Sequence, residues 1–175
     1  MNVMLPQPAL IRSYHPTDAA ACKRLYQEGL IRGKIADNDT GYDIEDITCA
    51  YMKPAGSHFW VAVTLREEGK VRAGEVVGMI GVQHHDEGVG EIRRLRVAAT
   101  HRRRGIGSSL VETALRFCQE QQYLKITLDT YMEHEPAIRL FEKFHFRHYR
   151  SRHVGEKELM YFFLDLYQKD EKPRA

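Results

Sequence analysis

The stretch from Glu91 to Gln122 constrains the fold more than any other, because three patterns follow one another along it. In "EIRRLRV" (91–97) the apolar residues Ile92, Leu95 and Val97 alternate with arginines, as a half-buried strand requires. "HRRRGIG" (101–107) is a basic, glycine-containing turn. "SSLVETALRFCQEQQ" (108–122) then repeats apolar residues at helical spacing: Leu110, Val111, Ala114, Leu115 and Cys118. A strand that runs through a glycine turn into a helix is an α/β unit. It also places the first turn of a helix, with its unpartnered N–H groups and partial positive charge, at the end of a strand. Such a helix start is a ready anion site. Gly105 and Gly107 let the backbone turn and approach an oxygen without an intervening Cβ. No Gly-Lys-Ser/Thr follows, so the turn is not a P-loop. The third glycine of a dinucleotide fingerprint is also missing.

Charge narrows the choice of anion. Arg93, Arg94, Arg96, Arg102, Arg103 and Arg104 lie within twelve residues, yet the formal net charge of the whole chain is only +2. A local cluster in a nearly balanced chain suits a discrete anionic group better than a long polyanion, which argues against nucleic acid. The bland alternative is a solvated basic face. The glycines and the flanking strand favour a phosphate.

The remaining patterns fill out one α/β domain over residues 9–167, between tails at 1–8 and 168–175. "ALIRSY" (9–14) reads as a strand. "HPTDAAACKRLYQEGLIRG" (15–33) reads as a helix capped by Thr17 or Asp18 and ended by Gly33. "DIEDITCAYMK" (43–53) reads as a second helix, stopped by Pro54 and Gly56. "HFWVAVTLREE" (58–68) and "EVVGMIGVQHH" (75–85) are strands, joined by a turn at 68–70 or by a loop running on to Gly74. "YLKITLDTY" (123–131) is a strand, "EPAIRLFEKF" (135–144) a helix with Pro136 in its first turn, and 145–166 a hairpin about "VGEK". The expected fold is a mixed sheet with helices on both faces.

Three cysteines without a Cys-x-x-Cys pair fit reduced thiols, and Cys118 falls on the apolar side of its helix. No apolar run approaches the roughly 18 residues of a membrane span, and the N-terminus lacks a secretory pattern. These features predict a cytoplasmic protein without a membrane partner. His84 and His85 precede Asp86 and Glu87, but neighbours on a strand point to opposite faces and no partner pair has ligand spacing. No metal is expected.

At this point "RRLRVAATHRRRGIGSSLVETALRF" resembles motif A of the GNAT superfamily of acyl-CoA-dependent N-acetyltransferases, whose Arg-x-x-Gly-x-Gly is matched by Arg102, Gly105 and Gly107. "ITLDTYMEHEPAIRLFEKFHF" (126–146) resembles its motif B, and "IRSYHPTDAAACKRLYQEGL" with "GSHFWVAV" resembles the camello-like branch. The resemblance implies a sheet splayed between the fourth and fifth strands, with acetyl-CoA entering there and passing its acetyl group to a primary amine. It implies that backbone groups of Leu95, Arg96 and Val97 meet the pantetheine arm and thioester carbonyl. The loop Arg102, Arg103, Arg104, Gly105, Ile106, Gly107 and Ser108 would wrap the pyrophosphate, with His134 and Phe141 along the arm. Partners would be acetyl-CoA and the amine acceptor; a homodimer stays open.

An alkylammonium of pKa near 10.4 is neutral in only about one molecule in a thousand or fewer at pH 7, so a base must remove its proton. Glu91 and Asp129 are the candidates, although Glu91 alternates with Arg93 and equally suits a structural ion pair. The family's usual acid tyrosine is replaced by Phe141, and the glycine before its terminal Phe by His145. Either a hydroxyl of Tyr149 or Tyr131 protonates the leaving thiolate, or the thiolate leaves unprotonated, which CoA tolerates. The competing reading, motivated by Phe141, is a catalytically weak acyl-CoA-binding module. The acceptor surface falls to the first two helices and the last hairpin.

Overall fold

The computed structural model describes residues 9–30, 34–67 and 69–167. One seven-stranded sheet runs in the order β1-β2-β3-β4-β5-β7-β6. Its strands are β1 Ala9–Ser13, β2 His58–Thr64, β3 Val76–Asp86, β4 Val89–Val97, β5 Lys125–Tyr131, β6 Arg147–Val154 and β7 Lys157–Asp165. The helices are α1 Ala19–Glu28, α2 Tyr42–Glu45, α3 Ile106–Glu120 and α4 Glu135–Lys143. Among the described residues β4 and β5 are the one parallel pair, and a parallel connection needs a crossover, which α3 supplies. α3 and α4 bury Leu110, Val111, Cys118 and Phe141 against one face of the sheet. α1 and the segment after it bury Cys22, Leu25 and Tyr51 against Phe59 and Met79 on the other. The mixed sheet with helices on both faces is the architecture read from the sequence. Among the described residues no helix is long and apolar enough to cross a membrane.

Three local expectations change, and one left open is decided. The first helix starts only at Ala19, after a 3-10 turn over Pro16–Asp18. Asp18 does not cap it: its carboxylate accepts the His15 N–H (2.9 Å) and two guanidinium bonds from Arg12 (2.7 and 2.9 Å), while the Thr17 hydroxyl bonds the His15 ring. The helix ends at Gly29; Gly33 and the expected tails at 1–8 and 168–175 lie outside the described residues. The second helix is split into α2 and a π-helical turn over Thr48–Met52. Asp46 leaves helical geometry between them, and its carboxylate accepts the Cys49 N–H (3.0 Å), starting a fresh turn. The β2–β3 connection is the longer alternative, because the Gly74 N–H closes it onto the Thr64 carbonyl (2.7 Å).

The last correction matters most for the site. β4 does not alternate throughout: Gly81 pairs with Arg93 and Met79 with Arg96, so three steps on β4 oppose two on β3. The extra residue is Arg94, at φ 59. A bulge explains how Ile92 and Leu95, an odd number of positions apart, both pack toward α3. It also bends β4 away from its neighbour. β4 and β5 pair only from Val89–Lys125 to Glu91–Thr127, while β3 follows β4 to Val97 and β7 follows β5 to Tyr131.

Candidate active site

Past Glu91 the facing edges of β4 and β5 have no strand partner in each other. An unpaired strand edge inside a fold is a template for an extended chain of amides. Leu95 and Val97 turn their side chains into the core under α3 and α4. Their carbonyls accept bonds from Arg96 Nη1 (2.9 Å) and Arg102 Nε (3.2 Å) respectively.

A 3-10 turn over Ala99–His101, closed by the buried His101, carries the chain from this edge to α3. Gly105 caps α3 from the left-handed region, φ 82, where a residue with a Cβ is disfavoured by about 1–2 kcal/mol. The first helical bond runs from the Ser109 N–H to the Gly105 carbonyl (3.0 Å), so the N–H groups of Ile106, Gly107 and Ser108 have no partner within the helix. A Cβ on Gly107 would sit 3.1 Å from Leu140 Cδ2 and 3.8 Å from Val97 Cγ2. The start of α3 is therefore seated directly on α4 and on the end of β4.

The arginine cluster divides. Arg102, Arg103 and Arg104 are exposed along the loop before α3. Arg93 lies 3.7 Å from Glu91. Arg94 is consumed inside the protein: it donates to both Asp39 oxygens (2.6 and 2.8 Å) and both Asp43 oxygens (2.8 and 2.6 Å), with Tyr26 under its guanidinium. Tyr26 and Tyr51 hydroxyls add bonds to Asp39 and Asp43. Burial alone would raise Asp39, but the Arg94 bonds outweigh it and hold the carboxyl at about 2, below its ordinary 3.8. A folded-state pKa below the unfolded one gives stability that is present above pH 3.8 and lost as pH falls toward 2. Acid unfolding should therefore steepen in that window, and Asp39→Asn should flatten it in a circular-dichroism pH titration.

The two candidate bases lie on adjacent strands where the splay begins. Glu91 pairs in register with Thr127, and Asp129 is two residues further along β5. Burial raises the pKa of Glu91, Arg93 opposes it, and the charge of Asp129 reinforces it; His85 Nδ1 lies 3.3 Å from the same carboxylate. Asp129 is exposed, yet desolvation by the surrounding protein raises its pKa against the pull of Arg93 and Arg152. His134 stands at the N-cap of α4, near Thr130 Oγ1 (3.4 Å), and its pKa is lowered by burial and then by Arg96. Phe141 is a core residue, 4% exposed, with its ring edge-on to Phe146 at 5.5 Å.

The two tyrosines separate. Tyr131 ends β5 at the cleft, and its hydroxyl donates to Asn38 Oδ1. Tyr149 sits on the edge strand β6, two strands or about 10 Å from β5, packed on Phe163 and Tyr161. It is not brought to the cleft. What sequence reasoning missed altogether is the Arg94–Asp39–Asp43 group; two acidic residues near "NDTGY" gave no sign of a partner over fifty positions away.

This geometry can be compared with known proteins. A model of the acetyltransferase (GNAT) family matches residues 22–146. Human N-acetyltransferase 8 is 36% identical over 110 residues, covering 60% of this chain and 45% of its own. N-acetylaspartate synthetase of Danio rerio is 35% identical over 117 residues, covering 66% of this chain and 37% of its own. The chain thus spans less than half the length of these curated relatives. A GNAT-family acetyltransferase from Staphylococcus aureus Mu50 superposes with a TM-score of 0.75 at 20% identity, covering 90% of this chain and 99% of its own. Arabidopsis thaliana NAA60, solved with a bisubstrate analogue, gives 0.72 at 18% identity, covering 90% and 97%. The splayed sheet, the glycine-capped helix after it and the family match over the same residues agree: this chain belongs to the GNAT acetyltransferase family.

Proposed function

We propose that this chain transfers an acetyl group from acetyl-CoA to a primary amine by direct attack in a ternary complex. One observation carries the reading: the unpaired edge of β4 leads straight to the free N–H groups at the start of α3. An extended arm of amides that ends in a pyrophosphate fits that sequence of donors. The β4 backbone at Leu95, Arg96 and Val97 would hold the arm and the thioester carbonyl. The loop from Arg102 to Ser108 would hold the pyrophosphate, mainly through N–H groups. His134 would flank the arm, and Phe141 would support it from within the core.

The chemistry is a simple exchange. The amine nitrogen bonds to the acetyl carbon as the carbon–sulfur bond breaks, and one amine proton leaves to a base. Glu91 is the proposed base, its raised pKa bringing it nearer the working pH. Tyr131 is better placed than Tyr149 to protonate the departing thiolate. The alternative, a weak acyl-CoA-binding module, draws its support from Phe141, which has no proton to give. The free thiols, with Cys22 and Cys118 buried, favour a reducing compartment such as the cytoplasm.

Amine-dependent release of CoA thiol by the purified protein tests the reading. Saturable acetyl-CoA binding with turnover on at least one amine is expected; no acetyl-CoA binding would sink it. Binding without turnover across a broad amine panel would favour the module. Glu91→Gln should lower kcat about 10²–10⁴-fold with little change in acetyl-CoA affinity. A variant within twofold of wild type, beside a strongly impaired Asp129→Asn, would transfer the role to Asp129.

A further inference from the structure

The core on the α1 side of the sheet draws no member from β5, β6 or β7. On the other side Met160, Phe162 and Leu164 of β7 pack toward α3 and α4. Tyr161 and Phe163 therefore point to the α1 side, where they are only partly buried. β6 is the outer edge strand there and is exposed along nearly its whole length. It carries Arg147, His148, Arg150, Arg152 and His153 and no acidic residue. His148 pairs with Phe162 and Arg150 with Tyr161, so Tyr149 between them is an extra residue, a bulge. The bulge puts Tyr149 and Arg150 on the same side, the ring of Tyr149 at 5.7 Å from Phe163 and the guanidinium of Arg150 at 4.2 Å over Tyr161.

Rings hold the cations of this face in place. Arg147 and Lys125 lie 4.8 and 5.0 Å from the centre of Phe163, and Arg152 joins Arg150 over Tyr161 at 5.9 Å. A guanidinium stacked on a ring still offers its N–H edge to a carboxylate. Of the three arginines only Arg147 makes an ion pair among the described residues, to Asp165 (3.4 Å). Arg152 attracts Asp129 without pairing with it. On this face of β5, β7 and β6, Lys125, Arg150, Arg152 and Lys157 are thus left against one carboxylate, Asp129.

The outer N–H and C=O groups of β6 have no strand partner among the described residues, and such an edge accepts an extended chain. Charge decides which chain. A second copy of β6 would set the same arginines against each other with no carboxylate between them, which is unfavourable. A nucleic-acid base needs an open ring to stack on, and cations already lie over Phe163 and Tyr161. We propose that β6 takes up an acidic, extended polypeptide segment as an added strand, whose carboxylates at alternate positions meet Arg150 and Arg152. These two arginines are two residues apart on one face, about 6.6 Å along the strand, which is the spacing of side chains i and i+2 on the incoming segment. The same charges that reject self-pairing select this partner. The edge lies two strands from the cleft, so the proposal does not depend on acetyl transfer.

The probe is an N-acetylated peptide as long as β6 that alternates glutamate with threonine; its counterpart carries glutamine for glutamate. Neither has an amine to acetylate. Calorimetric titration should show the glutamate peptide binding at least about tenfold more tightly than the glutamine peptide, since its bonds to arginine are charge-assisted. Added salt should weaken it, and hydrogen exchange of the β6 amides should slow when it binds. Arg150→Gln with Arg152→Gln should erase the preference. Arg66→Gln with Arg72→Gln removes the same charge from the β2–β3 connection, away from β6, and should leave affinity within twofold. Arg150→Gln alone should lose part of the preference and stands in if the double variant does not fold. No saturable binding up to about 1 mM overturns the proposal. So do equal binding of the two peptides, an equal loss in the control variant, or binding that leaves β6 exchange unchanged. Tighter binding of oligouridylate, or dimerisation that the β6 substitutions abolish, would give the edge to another occupant and likewise overturn it.

Discussion

Arg94→Met is expected to destabilise the folded chain by about 3–5 kcal/mol, the usual cost of leaving buried charges without their partner. Asp39 and Asp43 would keep their burial and lose the guanidinium that holds both pKa values down. The damage should extend beyond the pair, because Arg94 joins the bulge of β4 to α2 and to the segment before it, and Tyr26 and Tyr51 are bonded into the same group. Urea unfolding followed by circular dichroism should show a lower midpoint with an unchanged slope. Adding Asp39→Asn and Asp43→Asn to Arg94→Met should recover part of the loss, since the stranded charges are then removed. A single variant within 1 kcal/mol of wild type would mean the group is better solvated than its geometry implies.

Gly107→Trp is expected to lower acetyl-CoA affinity by at least a hundredfold. The side chain would grow toward Leu140 and Val97, and the start of α3 would have to lift off α4 and the end of β4. The N–H groups of Ile106, Gly107 and Ser108 then lose their common aim, and preorganised donors are what the proposed phosphate site consists of. Gly107→Ala is the control. Its Cβ meets only the tip of Leu140 at 3.1 Å, a flexible contact that can yield, so binding should stay within a few-fold. Calorimetric titration with acetyl-CoA separates the two. Normal affinity in the tryptophan variant would show that the α3 start does not hold the cofactor.

The sequence was legible where local and tertiary preferences coincide. The α3 periodicity, the strands β5 and β7 and the glycine turn all stand where patterning puts them, because each element buries one face and its spacing reports that face. It was misleading where side chains overrule the backbone pattern. Asp18 reads as a cap but is drawn away by Arg12. The second helix reads as continuous but breaks where Asp46 bonds the Cys49 N–H. Tyr149 looked equivalent to Tyr131 by distance along the chain, yet sheet order sends one to the outer edge and leaves the other at the cleft.

The arginines show the division best. From residues alone, six positive charges around a Gly-x-Gly turn amount to one anion site. The order strand, glycine turn, helix is a local property of the chain, so the place of that turn and the family it resembles were determined without any tertiary information. Which arginine serves which purpose was not. That depends on the bulge at Arg94, which shifts the strand's facing by one residue: Arg94 meets two carboxylates from beyond α1, Arg96 emerges against Gly29, and Arg102 to Arg104 remain on the loop. A one-residue change of register reverses every side chain after it. Only the pairing of β4 with β3 decides where that change falls, and that pairing is made across the sheet rather than along the chain.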